Sequence, residues 1–155
     1  MDKKTLAELY QTVVQDELGM IAKIDDADDV IFKYPDLGTL YFSLDAEQDP
    51  EYLMLVFPTF ADAKTLEVSR EQLLLAINSV NSRSKAVKLS IRASTIDGDC
   101  DVMATVEAFV GGPNQAPDEA FLRQTIKRNL SALRAGVRNL LEEVKKSQGG
   151  KIETM

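Results

Sequence analysis

The chain has 155 residues, a net charge of −7, one cysteine, no histidine and no tryptophan. Without histidine, no imidazole-based triad, metal site or acid–base pair can be built, so any chemistry would fall to carboxylates, lysines, hydroxyls or the lone Cys100. The acidic balance disfavours nucleic acid and anionic membrane as partners, because both require a positive footprint.

The charge is uneven. Residues 1–60 hold 13 acids and 4 bases, whereas residues 61–155 hold 12 and 14. Such asymmetry can orient two protein surfaces. No apolar run approaches the roughly 20 residues of a membrane span. The N-terminal segment carries Glu8, Asp16 and Glu17 where a secretory leader would be uninterruptedly apolar. One cysteine excludes an internal disulfide, and the expected location is the cytoplasm.

In chain order, Leu6, Leu9, Tyr10, Val13 and Val14 form one stripe and predict a helix over 3–18, stopped by Gly19. Residues 20–24 can form a short extended piece. Asp25, Asp26, Asp28 and Asp29 repel one another and predict an exposed turn. Val30 to Tyr34 is rich in β-branched and aromatic residues and predicts a strand. Pro35-Asp36-Leu37-Gly38 is turn chemistry. A second strand follows over 39–44, and a polar loop over 45–50. Residues 52–57 form an apolar run expected of a central strand, with Pro58 as its end.

Ser69-Arg70-Glu71-Gln72 fits a capping box and opens a second helix, with Leu73, Ile77 and Val80 inward. Val87 to Arg92 alternates, Asp97-Gly98 is a hairpin signal, and Val102 to Val110 answers as the partner strand. A long helix over 118–146 closes the series, with Asp118 and Glu119 at its start and Lys145 and Lys146 at its end, as the helix dipole favours. The order α-βββ-α-ββ-α predicts an α+β fold, an antiparallel sheet packed by helices. A single domain is expected over 1–146, with 147–155 as a frayed tail.

Each candidate site has a plainer reading. Asp97, Asp99 and Asp101 match three positions of a calcium loop, but glycine falls at the wrong position and Ala108 stands where glutamate is needed. The aspartates at 25–29 could serve a cation or a basic partner; a solvated loop is the simpler account. Cys100 reads as an incidental hairpin residue. Gly111-Gly112-Pro113 lacks the spacing of a phosphate loop. Arg123, Lys127 and Arg134 share a helix face, either a docking stripe or a solvated surface. No cofactor is expected.

The last helix is the feature that carries a site. At about 1.5 Å per residue it spans roughly 43 Å, against about 20 Å for an ordinary strand. Its C-terminal apolar residues, Val137, Leu140, Leu141 and Val144, are therefore expected to project past the sheet as a dimer or partner interface.

The element order, together with Leu73-Leu74-Leu75-Ala76-Ile77-Asn78-Ser79-Val80-Asn81-Ser82-Arg83, the strand Val87 to Ile91 and Phe57-Pro58, resembles the class I type III secretion chaperones and the related YbjN-like proteins of bacteria. The resemblance runs from about Lys3 to Lys146. It implies a type III secretion chaperone-like fold and a homodimer that holds an extended polypeptide. The expectation is thus a non-enzymatic protein-binding module, chaperone-like or regulatory, whose partners are a second copy and another polypeptide. The alternatives are a metal-dependent enzyme built on the acidic clusters and a purely structural subunit.

Overall fold

The computed structural model describes the backbone of residues 1–153 and the side chains of residues 1–148. The elements are α1 (Lys3–Leu18), β1 (Ala22–Ile24), β2 (Val30–Tyr34), β3 (Gly38–Phe42), β4 (Tyr52–Asp62), α2 (Ala63–Leu66), α3 (Arg70–Arg83), β5 (Val87–Ala93), β6 (Cys100–Phe109) and α4 (Glu119–Glu153). The strands form one six-stranded sheet in the order β1-β2-β3-β4-β6-β5, and the successive pairs from β1 to β4 are antiparallel. The fold is α+β, as the sequence pattern predicts. A short β1 and the one-turn α2 are added to the expected order.

By compactness the described residues fall into two units. The first comprises Met1–Phe57 and Val106–Ser131. There α1 starts at Asp2, whose side chain accepts from Thr5 N, and stops at Gly19, which takes a left-handed conformation at φ 66°. Its stripe of Leu6, Tyr10, Val13 and Val14 is buried, as are Val30, Phe32, Leu40 and Phe42 of the sheet. Tyr10 and Phe32 flank the Phe42 ring, with centroids 5.0 and 5.8 Å away.

The second unit comprises Pro58–Thr105 and the chain from Ala132 onward. Its core holds Leu73, Ile77 and Val80 of α3, Val87 and Leu89 of β5, and Leu133 and Leu140 of α4. Helix and strand approach closely at Gly136, where a Cβ would lie 2.7 Å from both methyl groups of Val87. Arg83 and Glu143 form an ion pair at 3.0 Å, and Gln148 donates to the Leu66 carbonyl at 2.6 Å.

Two expectations about element ends are corrected. Pro58 does not end its strand, because β4 continues to Asp62. The pairing of β4 with β3 engages Leu55 and Val56, so Pro58 lies beyond it, where a missing amide costs no bond on that side. The last helix does not stop at Lys146 but reaches Glu153. The final two residues of the expected tail lie outside the described residues.

Candidate functional site

The site is a cleft of about 520 Å³ in the second unit. That volume lies within the range of roughly 300–1,000 Å³ usual for ligand sites. Three local structures build it.

The first is the α2–α3 corner. The Asp62 side chain caps α2 by accepting from Thr65 N at 3.0 Å. The hydrogen bonds from Thr65, the neighbouring Asp99 carboxyl and Lys64 hold the Asp62 carboxyl below the usual range. At the far end Glu67 takes φ 58° and turns the chain toward α3. Ser69 then opens α3 with a complete capping box: Gln72 N donates to Ser69 Oγ at 3.1 Å, and Ser69 N donates to Gln72 Oε1 at 2.9 Å. This corner contributes Ala63, Lys64, Val68, Ser69 and Arg70 to the cleft.

The second is the turn between β5 and β6. Asp99 N donates to Ile96 O, with Gly98 at φ 73°, as expected of Asp97-Gly98. The turn is fastened to α2. Lys64 Nζ donates to Asp97 O at 3.0 Å, and Asp99 Oδ1 accepts from Lys64 N at 3.1 Å and from Cys100 N at 2.8 Å.

The third is the free edge of β5, the last strand of the sheet. Asn81 of α3 bonds Leu89 twice: Nδ2 donates to Leu89 O, and Oδ1 accepts from Leu89 N, each at 2.9 Å. The amide occupies the place of a neighbouring strand. In an antiparallel strand the N–H and C=O of one residue point to the same side, and alternate residues share that side. Leu89 faces away from β6, so Ile91 and Ala93 direct their main-chain groups the same way. Both residues line the cleft.

The cleft thus combines an apolar part (Ala63, Val68, Ile91, Ala93), three cations (Lys64, Arg70, Arg92), one carboxylate (Asp99) and an open stretch of strand edge. The Arg92 guanidinium rests 3.6 Å from the Met103 sulfur. Among the described residues, none of the three cations forms a salt bridge.

The residues singled out from the sequence lie elsewhere or are otherwise engaged. Val137, Leu140 and Val144 are in the core, and only Leu141, at 37% exposure, reaches solvent. The expected projecting seam is therefore corrected. Around this stretch Gly136 lies against Val87 of β5, and Arg83 of α3 pairs with Glu143. Arg123 is engaged by Asp16, Glu17 and Glu119 at 3.0–3.3 Å. In the loop before β2, Asp25 Oδ1 accepts from the amides of Ala27 and Asp29, and Asp29 Oδ1 accepts from Leu44 N. Those carboxylates shape a turn. Cys100 is buried at the rim of the cleft.

Lys64, Arg70 and Arg92 were not candidates from the sequence. They sit on or at the start of α2, α3 and β5, and only tertiary structure brings them together. The one signal available was the positive balance of residues 61–155.

No protein-family model matches the chain, and no curated protein matches its sequence. Among solved structures it is similar to the crystal structure of E. coli YbjN, a proposed transcription regulator, with a TM-score of 0.64, 11% sequence identity, and coverage of 91% of this chain and 92% of that one. At that identity the likeness concerns architecture, and the chain has the YbjN-like fold.

Proposed function

We propose that this protein is a non-enzymatic, polypeptide-binding module with a regulatory role, and that its site is the β5-edge cleft. One observation carries the reading. The edge strand is covered at Leu89 by Asn81, while Ile91 and Ala93, whose main-chain groups face the same side by strand alternation, line the cleft. An extended segment entering there would pair with β5 as an added strand and seat side chains against Val68 and Ala63. A strand edge is read through its backbone, which suits a partner recognised by shape and a few anchors. The regulatory part takes support from E. coli YbjN, whose own role is proposed to be transcription regulation. The homodimer expected from α4 loses its basis at Val137, Leu140 and Val144, which are spent in the core.

The test is Ala93→Pro. Proline removes the outward N–H and blocks strand addition, and an edge strand tolerates it when that N–H takes no part in the sheet. A randomised decapeptide library is titrated into the isotopically labelled protein and followed by amide chemical shifts. Shifts confined to Ile91, Ala93, Val68 and Arg70, lost in a folded Ala93→Pro variant, are expected. Shifts that ignore this region, or that persist unchanged in the variant, overturn the assignment.

A further inference from the structure

Resting on the polypeptide-binding reading, we infer that the cleft selects acidic segments: the strand that pairs with β5 carries aspartate or glutamate side chains that meet Lys64, Arg70 and Arg92.

Three observations converge. The cations come from separate elements yet line one cleft, and among the described residues no salt bridge neutralises them. Lys64 Nζ is held by a carbonyl, that of Asp97, which orients the ammonium without cancelling its charge. Arg92 lies against a thioether and Arg70 stands at the opening of α3, where the helix dipole adds potential of the same sign. Against these three cations the lining sets a single carboxylate, Asp99. Its Oδ1 is committed to two backbone amides.

The wider charge pattern agrees. The first unit holds 16 acidic and 7 basic residues, whereas the second holds 9 and 11. An acidic segment is therefore repelled by one unit and drawn to the other. A basic segment would meet the reverse. Guanidinium groups suit carboxylates in particular, since their paired N–H donors match the two oxygens. Three cations on an acidic chain remain too few to track a nucleic-acid backbone, which needs a continuous positive surface.

The experiment compares two decapeptides of the same alternating pattern, one with Glu and Asp at its polar positions and the other with Gln and Asn. Binding is read by fluorescence anisotropy at low and high salt. The acidic peptide is expected to bind about tenfold more tightly at low salt, with the gap closing as salt rises. The double variant Arg70→Gln/Arg92→Gln is expected to abolish the gap and leave the neutral peptide's affinity unchanged. Its fold is checked by circular dichroism, and Lys64→Gln serves as the milder second variant. Equal affinity of the two peptides overturns acidic selection and leaves the polypeptide-binding reading standing. Failure of both peptides to bind overturns both. Inorganic phosphate and a short DNA duplex complete the set: tight binding of either, with both peptides weak, makes the cleft an anion or nucleic-acid site and overturns the inference.

Discussion

Asp29 shows how one carboxylate can be both useful and costly. Its side chain accepts from Leu44 N at 2.9 Å and so ties the turn after β1 to the end of β3. Burial is the main influence on its pKa and pushes it up; the bond from Leu44 works the other way, and the charges of Asp25 and Asp28 add to the rise. A carboxyl raised on folding is penalised in its ionised form. The penalty is complete above the folded pKa and vanishes below the ordinary value of 3.8. Asp29→Asn keeps an acceptor for Leu44 and removes the charge. The expected outcome is a higher melting temperature at pH 7, with the advantage gone near pH 3. An advantage of equal size at both pH values would contradict this account. The sequence exposed the clustering of these aspartates but not their use, because an acceptor bond from a residue fifteen positions away is set by tertiary structure.

At the scale of elements, caps and stripes were legible and lateral packing was not. α1 and α3 declare themselves through Gly19, the Ser69–Gln72 box and their apolar periodicity. α2 does not: four residues are too few for periodicity, and its cap, Asp62, follows a strand that the sequence ends at Pro58. The stripe of α4 is visible in the sequence, but its neighbours, β5 at Gly136 and α3 at Glu143, are set by tertiary structure. Gly136 carries no sequence signal for the same reason. An exposed helical glycine costs about 1 kcal/mol relative to alanine, so Gly136→Ala would ordinarily stabilise. Here the new methyl meets Val87 at 2.7 Å, and overpacking of that kind costs roughly 1–3 kcal/mol. The expected outcome in chemical denaturation is a net loss of about 1 kcal/mol. Adding Val87→Ala should return much of it, although Val87→Ala alone destabilises. Additivity of the two changes would contradict direct contact between helix and strand.

For the whole molecule, charge distribution is the organising property. The acidic first unit is relieved at one point by Arg123, whose guanidinium meets Asp16 at 3.0 Å, Glu119 at 3.2 Å and Glu17 at 3.3 Å. These hydrogen bonds, from Asp16 first, raise its pKa further. Arg123→Gln leaves three carboxylates facing one another. The melting temperature should fall at low ionic strength, and most of the difference should disappear near 1 M salt, where the screening length is about 3 Å. A salt-independent loss would mean that Arg123 acts by packing. Charge imbalance along the chain was legible from composition; its resolution into one cationic cleft was not, because Lys64, Arg70 and Arg92 have no common periodicity.

The double bond between Asn81 and Leu89 has a chemical lifetime as well as a geometry. An amide both donates and accepts, whereas its hydrolysis product, a carboxylate, only accepts. Deamidation of this single side chain would set a negative charge against the Leu89 carbonyl and uncover the strand edge there. An unprotected edge is a template for other chains. Conversion of this one side chain would thus show as a growing tendency to assemble through β5, with the rest of the fold in place.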